Sequence, residues 1–263
     1  MKDTYSIIRT NQYNNKKMVL EVQRKYRRWA AARDLVSFEA VKEESDLFIS
    51  ADKDLTVPAK QLIEECRAVI KDYIRRCPQF EFSLQPVEAI SGAAPIIKEM
   101  IKASRQANVG PMAAVAGAIS EYVGRGLLNF SGEVIVENGG DIFIKSSTDR
   151  VVGIYAGSSP FSGRISLNLK ASLAPVGICT SSGTVGHSLS FGKSDSVTVI
   201  SRSTLRSDAA ATAVANIVNT PKDIAGGIEL ARSIRGIRGV LIVIGKKFGA
   251  WGEVEIVKSN RVI

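Results

Sequence analysis

The chain contains a single histidine, His187, in the stretch CTSSGTVGHSLSFGKSD, which runs from Cys179 to Asp195. One histidine excludes multi-histidine zinc and iron sites and HExxH proteases, because each needs at least two imidazole ligands. A Ser-His-Asp triad needs only one, with Ser181 or Ser182 as nucleophile, but no GxSxG turn presents either serine. His187 is therefore a candidate general acid or base, or a contact to a bound ligand.

The same stretch has the composition of an anion-binding loop. Glycines let backbone amides approach a ligand, while hydroxyls and a lysine supply donors and charge. The candidate phosphate-binding residues are Thr180, Ser181, Ser182, Gly183, Thr184 and Lys193. A plain Ser/Gly connector is an equally good interpretation. GHSLSFGKS is not a Walker P-loop, because the spacing from Gly186 is one residue too long and a predicted strand follows where a P-loop needs a helix.

Cys179, at the start of this stretch, is one of three cysteines. An odd number with no CxxC pair argues against a disulfide framework or a zinc site. Cys179 could be a reactive thiol, which would indicate sulfur chemistry, if its pKa were lowered. A small buried apolar residue at the end of a strand is the more common role for such a cysteine.

A carboxylate and a hydroxyl lie four residues apart in RSDAAATAVANIV, at Asp208 and Thr212. On a helix they share one face, one turn apart. Hard oxygen ligands with this spacing suit Mg²⁺ bridging to a phosphate. Spacing alone favours a plainer interpretation, in which Ser207 or Asp208 caps the helix.

The elements that would position these residues come in blocks. LVSFEAVKEESDLFISA predicts a hairpin, followed by helices from Thr56 to about Arg76 and from Pro95 to about Gln106. A third helix, MAAVAGAISEYV, is small and apolar almost all round, which is typical of a buried helix. Strands follow, then two further helices, SDAAATAVANIV and PKDIAGGIELARSI, and the strands GVLIVIG and GEVEIV. Helices and strands in separate blocks indicate an α+β fold.

Among the strands, EVIVENGGDIFIK carries Asn138-Gly139 between two alternating apolar runs. This pair is the strongest short signal for a hairpin. Asp141, after Gly139 and Gly140, then lies at the hairpin tip or just beyond it. A turn aspartate hydrogen-bonded to its own backbone is the default expectation there.

The composition is that of a globular protein: 263 residues, 45% hydrophobic and 23% charged. We predict a single domain over residues 1–263, with a basic segment at residues 1–33 that holds much of the net charge of +9. The rest is nearly neutral, so nucleic acid is not an expected partner. The run QRKYRRWAAAR, with Tyr26 and Trp29, could contact RNA, but a solvated basic edge is the favoured interpretation.

No transmembrane segment is predicted. The most apolar uncharged run, from Ala107 to Ser120, is shorter than the roughly 20 residues that cross a bilayer. The first residues lack the apolar core and small-residue cleavage site of a signal peptide. We therefore expect a cytoplasmic protein.

Together, VGPMAAVAGAISEYV, VENGGD, CTSSGTVGHSLSFGK and DSVTVISRSTLRSDAAATA resemble the ApbE-like superfamily of FAD:protein FMN transferases. The resemblance is strongest to its uncharacterised prokaryotic branch, and it extends from about Glu43 to the C-terminal WGEVEI. It implies an ApbE-like fold, a mixed and largely antiparallel sheet packed with helices. It also implies a ligand cleft formed by the GGD turn, the Ser/Gly loop and the Asp208 helix, with Mg²⁺ and FAD or FMN as cofactors.

The resemblance also implies residue roles. The superfamily's GGD turn falls on Gly139, Gly140 and Asp141, and its T-S-G segment falls on Thr180, Ser181, Ser182 and Gly183. Its magnesium-binding A-D-x-x-x-T helix falls on Ser207, Asp208 and Thr212. Its catalytic-loop histidine falls on His187. Two positions depart from the pattern. Ser190 and Phe191 replace the D-P pair after the histidine, and Ala116 replaces the lysine of the A-K-G segment. A buried charge-assisted hydrogen bond from such a lysine to a diphosphate is worth about 1.5–3 kcal/mol. Because this chain lacks that lysine, the resemblance does not by itself predict FMN transfer.

We therefore expect a phosphate-bearing small molecule, a flavin or another nucleotide, to bind with Mg²⁺, and transferase chemistry to be available. The alternative is a non-catalytic binding or assembly protein with a vestigial pocket. A thinner alternative is thiol-dependent sulfur metabolism through Cys179. A homo-oligomer is compatible with the sequence.

Overall fold

The structure is a computed structural model that describes residue 32, residues 34–184 and residues 191–259. The basic N-terminal segment, apart from Ala32, lies outside the described residues, and so does His187.

The predicted strands and helices occur in the described chain in the predicted order. The strands are β1 (Val36–Lys42), β2 (Ser45–Ala51), β3 (Val134–Asn138), β4 (Asp141–Lys145), β5 (Arg150–Gly153), β6 (Ile165–Leu169), β7 (Val176–Ser181), β8 (Ser196–Ser201), β9 (Ile237–Ile244), β10 (Lys247–Gly252) and β11 (Glu255–Lys258). The α-helices are α1 (Thr56–Arg76), α2 (Gln79–Phe82), α3 (Pro95–Ala107), α4 (Val115–Leu127), α5 (Thr204–Ile217) and α6 (Ile224–Ser233).

The strands form two antiparallel sheets. The larger has eight strands in the order β1-β2-β3-β4-β7-β8-β9-β10, and the smaller has three in the order β11-β6-β5. Helices and antiparallel strands therefore combine in an α+β fold, as predicted.

The larger sheet lies between two apolar layers because its central strands alternate side chains between both faces. In β7, Val176 and Ile178 belong to an outer cluster that contains Leu167 of the small sheet and Leu241 of β9. Cys179, on the other face, belongs to the larger cluster with the helices. The helices and the small sheet pack on opposite faces of the same large sheet. We therefore propose that the described residues form a single domain.

Several predicted helix boundaries are confirmed. The first two predicted helices correspond to α1 (Thr56–Arg76) and α3 (Pro95–Ala107). The third differs, because a 3₁₀ turn at Pro111–Ala114 precedes α4. The edge strand β10 was not predicted, because KFGAWG carries two glycines and alternates only weakly. No helix in the described part of the chain is long and apolar enough to cross a bilayer.

The hairpin predicted around Asn138-Gly139 is confirmed. Asn138 pairs with Asp141 across a two-residue turn, and Gly139 and Gly140 have φ of 65° and 108°. A side chain is strained at such angles, so glycine suits both positions. The tight turn makes Asp141 the first residue of β4.

Candidate functional site

Asp141 lies just beyond the hairpin tip, as predicted, and its side chain is buried inside the protein. It pairs with Cys179 across β4 and β7, and both residues are buried. The expectation that Asp141 bonds to its own turn is wrong, since the Gly140 N–H donates instead to Glu137 Oε1 at 2.9 Å. The side chain of Asp141 interacts with the Cys179 thiol and with the backbone of Thr180. The tight turn therefore places the Asp141 carboxyl on the buried, helix-facing side of the sheet.

This position is unfavourable for a charged carboxylate. The pKa of Asp141 is raised from 3.8 to about 7, first by burial and then by the charge of Glu137, against a lowering by hydrogen bonds with Cys179 and Thr180. Among the described residues, nothing forms a hydrogen bond with the buried atom Asp141 Oδ1. Buried polar atoms nearly always have a partner, so this atom is a candidate contact for something that binds.

Asp208 and Thr212 are nearly buried on α5, in successive turns. The interpretation of Ser207 or Asp208 as the cap of this helix is wrong, because α5 already begins at Thr204. The Ser207 hydroxyl instead donates to the Gly177 carbonyl oxygen at 3.0 Å. The helix starts earlier than the apolar run because Ser203 and Thr204 offer an equally suitable polar start.

Asp208 caps a different helix. Its Oδ2 accepts the Gly117 N–H at 2.8 Å, at the start of α4, and the Ala116 backbone contributes a second hydrogen bond. The two helices nearly touch here, since a Cβ on Gly117 would lie 2.6 Å from the Thr204 carbonyl oxygen. Asn138 Nδ2 also donates to the Ala116 carbonyl oxygen at 3.1 Å, which brings the glycine turn beside this helix start.

Glu121, on α4, in turn caps the N-terminus of α5. Its buried Oε2 accepts the Thr204 N–H at 2.6 Å, the Leu205 N–H at 3.4 Å and the Ser203 hydroxyl at 3.1 Å. We call the set Gly117, Glu121, Thr204 and Asp208 the cross-capped junction, because each helix supplies an acid to the N-terminus of the other. The role of Glu121 was not predicted from the sequence. The available signal was an isolated acid in the otherwise apolar MAAVAGAISEYV.

The two buried aspartates repel each other. Burial raises the pKa of Asp208 well above 3.8, and the charge of Asp141 raises it further, while the amides of Gly117 and Ala116 lower it. A divalent cation would neutralise this pair, and carboxylate and hydroxyl oxygens are the ligands that Mg²⁺ prefers. Asp141, Asp208 and Thr212 therefore fit the ion in chemical type. No group of three or more His, Cys, Asp or Glu side chains within the described residues could hold a metal, so hydroxyl, backbone or ligand oxygens would complete the shell.

Most of the Ser/Gly loop residues that the structure describes form a stem. The Gly183 N–H donates to the Ser194 carbonyl oxygen at 2.9 Å, and the Thr184 N–H donates to Ser182 Oγ at 3.0 Å. Thr180 Oγ1 lies 2.9 Å from Thr198 Oγ1. These groups are engaged within the protein, and the Lys193 side chain is exposed.

Ser181 differs from the other loop residues. It follows Cys179 by two positions on β7, so both side chains lie on the helix-facing side of the sheet. Its buried Oγ has no hydrogen-bond partner in the described part of the chain. The structure thus places Ser181, Asp141 and Cys179 on the helix-facing side of the sheet, with Asp141 and Cys179 close to Asp208 of α5.

Cys179 has the environment of a structural thiol. Its side chain is fully buried, and Sγ donates to the Thr204 carbonyl oxygen at 3.2 Å. Burial first, and then the charges of Asp141 and Asp208, raise the pKa of the thiol well above 9.0. A buried thiol that stays protonated at neutral pH gives no support to sulfur chemistry.

We expect iodoacetamide at pH 7.5 to label Cys77, which is partly exposed, long before Cys179. Cys66 should also react slowly, because burial raises its pKa to about 11. Peptide mass spectrometry over a time course measures the three rates, and protein in denaturant provides the control in which all three react. Labelling of Cys179 as fast as that of Cys77 would show an accessible, activated thiol.

Comparison with known proteins gives consistent matches. Residues 27–234 match the profile of the family described as AbpE bacteria. The UPF0280 protein of Methanothermobacter thermautotrophicus is 44% identical over 204 residues, covering 74% of this chain and 78% of that protein. The UPF0280 protein of Methanococcus vannielii is 41% identical over 228 residues, covering 84% and 92%.

Solved structures of flavin transferases share the fold. The apo form of the flavinyl transferase ApbE from Pseudomonas stutzeri aligns with a TM-score of 0.53 and 15% identity, covering 83% of this chain and 94% of that one. A point mutant of the flavin transferase ApbE from Vibrio cholerae aligns with a TM-score of 0.52 and 12% identity, covering 83% and 97%. Identities this low establish the architecture alone.

Proposed function

Because the chain belongs to the family described as AbpE bacteria and has the fold of the ApbE flavin transferases, we propose that it binds a phosphate-bearing small molecule together with Mg²⁺. The ligand class is a flavin nucleotide or another nucleotide. The observation that carries the proposal is the pair of buried, mutually repelling carboxyls, Asp141 and Asp208, with Asp141 Oδ1 left without a hydrogen-bond donor among the described residues. A bound cation and its phosphate ligand would satisfy both groups.

Each residue has a defined part in this proposal. Asp208 and Thr212 would hold the ion, and the Gly117 amide fixes the orientation of the Asp208 carboxylate. Asp141 adds negative charge beside it, and Ser181 offers a hydroxyl. When bound, Mg²⁺ would act as a Lewis acid toward a phosphate oxygen.

The finer part of the proposal is that the protein is a transferase. His187 would then move a proton at the reacting group, since an imidazole titrates near neutral pH. The glycine turn at Gly139 and Gly140 would let the backbone approach the ligand. The loop residues would line the phosphate end of the ligand: Thr180, Ser182, Gly183, Thr184 and Lys193. The phosphate end of FAD or FMN fits this class of ligand.

Calorimetric titration with FAD, FMN and ATP, each with and without MgCl₂, tests the proposal. We expect at least one nucleotide to bind, and Mg²⁺ to strengthen that binding by about tenfold or more, equivalent to about 1.4 kcal/mol. Asp208→Asn should remove most of the gain in nucleotide affinity that Mg²⁺ gives, because a neutral amide attracts the cation much less than a carboxylate does.

The matched control is Glu229→Gln, which makes the same charge change at an exposed position on α6, where Glu229 pairs with Arg232 at 2.8 Å. This variant should bind as the wild type does. The proposal is wrong if none of the three nucleotides binds, or if Asp208→Asn binds with the same Mg²⁺ dependence as the wild type.

One observation favours the second candidate, a non-catalytic binding or assembly protein. Asp208 already has a structural role in the cross-capped junction, which a vestigial site could retain. In that case His187→Ala would leave cellular function intact, as measured by complementation of a deletion strain. Loss of function in His187→Ala, with normal protein levels, would exclude this candidate.

A further inference from the structure

We propose that Glu121 is a positioning residue of the metal site, because it fixes the first turn of α5 and thereby the placement of Asp208 and Thr212. This inference rests on the proposed function, since it concerns the residues that would hold Mg²⁺. Glu121 lies on a different helix from both ligands and acts through the backbone of α5.

The first turn of α5 has no local cap. Ser203 occupies the N-cap position, where its hydroxyl would normally accept a backbone N–H of its own helix, but it forms no such bond. It donates instead to Glu121 Oε2 at 3.1 Å. The N–H groups of Thr204 and Leu205 point to the same oxygen, at 2.6 and 3.4 Å. The start of α5 therefore depends on a carboxylate supplied by α4.

Both oxygens of Glu121 are engaged, which separates positioning from metal binding. Oε2 receives the three donors of α5, and Oε1 forms an ion pair with Arg125, one turn further along α4. The side chain is buried and has no oxygen turned to solvent. Its contribution is to orient α5 rather than to ligate the ion.

The Glu121 contact lies only about one helical turn from Asp208, so fixing the start of α5 also fixes the position of Asp208. Thr204, whose amide Glu121 holds, lies four residues before Asp208, and Thr212 lies four residues after it. Asp208 in turn bonds to Gly117 on the same helix as Glu121. The Cβ position of Gly117 is only 2.8 Å from Asp208 Cβ, so the two helices have little freedom to slide. Loss of the Glu121 contact should displace the ligands while leaving their chemistry unchanged.

The test uses Mn²⁺ alone as the probe, measured by electron paramagnetic resonance titration of the full chain. Substitution of groups that orient metal ligands typically weakens metal binding by about 10–100-fold. We expect Glu121→Gln to weaken Mn²⁺ binding by about tenfold or more. Hydrogen exchange at the Thr204 and Leu205 amides should become faster in the same variant.

Glu99→Gln is the matched control. Glu99, on α3, also pairs with Arg125, at 3.7 Å, and the substitution makes the same charge change while keeping the Glu121 contacts to α5. We expect its Mn²⁺ affinity to equal that of the wild type. All titrations are run at a temperature where melting curves show each variant fully folded. If Glu121→Gln does not fold, Glu121→Asp, which keeps the charge but is too short to hold all the donors, carries the same comparison.

The outcomes separate the two claims. If the wild type binds Mn²⁺, Asp208→Asn does not, and Glu121→Gln binds as tightly as the wild type despite faster exchange at Thr204, Glu121 is only structural and the inference is wrong. If the wild type itself fails to bind Mn²⁺, the proposed metal site is wrong and the inference falls with it. Weaker binding in Glu121→Gln together with unchanged binding in Glu99→Gln supports the inference.

Discussion

Asp141→Asn is expected to raise the melting temperature of the ligand-free protein at pH 8 and to leave it almost unchanged at pH 4. The pKa of this carboxyl is about 7 in the folded protein, against an ordinary value of 3.8. Between these values the folded protein keeps a proton that the unfolded chain has released, so the stability falls as the pH rises through that window. At about 1.4 kcal/mol for each pKa unit, ionised Asp141 lowers stability by on the order of 4 kcal/mol.

Thermal melts of both proteins from pH 4 to pH 8, without divalent cations, measure this effect. Asp223→Asn is the opposite control, because hydrogen bonds from Asn219 and Thr220 lower the pKa of Asp223. Its contribution to stability is present above the unfolded pKa and is lost as the pH falls, so this variant should melt lower at pH 8. A destabilised Asp141→Asn at pH 8 would mean that the carboxylate has a favourable partner in the ligand-free protein.

Gly117→Ala is expected to destabilise the protein by about 2 kcal/mol or more and to abolish metal-dependent ligand binding. Overpacking of this kind typically costs about 1–3 kcal/mol. The added Cβ would lie 2.6 Å from the Thr204 carbonyl oxygen and 2.8 Å from Asp208 Cβ, and neither position can relax without moving α5. The strain outweighs the gain of up to about 1 kcal/mol that alanine brings to a helix interior.

Gly226→Ala provides the matched control for that measurement. Gly226 is also helical, but within the described chain no atom outside its own helical turn lies within 4 Å of its Cβ position. Its stability in urea denaturation should therefore be unchanged or raised by up to about 1 kcal/mol, because alanine restricts the unfolded chain. Equal stability of the two variants would show that α4 and α5 are not in close contact at Gly117.

Much of the fold could be predicted from sequence because its signals are local. The Gly139-Gly140 turn, the α1 helix and the alternating strands each carry their pattern within their own segment of the sequence. The start of α5 was misplaced for the same reason. Ser203, Thr204, Ser207 and Asp208 are all acceptable polar residues before an apolar run, and local preference cannot choose among them.

The candidate site was predicted only in part. Asp141, Asp208 and Thr212 could be selected by residue type and spacing, or through the resemblance to a family. The burial of Asp141 could not, because it depends on the pairing of β4 with β7. Glu121 could not be selected at all, since its partners on α5 are more than 80 residues away in the chain. Its role arises only when two helices pack against each other.

The small sheet also determines when the chain can finish folding. Its middle strand pairs with β11 across a long separation, as in the contact between Asn168 and Glu255, 87 residues apart. On the ribosome, the outer cluster cannot be fully covered until β11, whose Ile256 packs against it, has emerged. Such non-local pairing is slow to form. We expect the last step of folding to follow synthesis of β11, with transient dependence on chaperones.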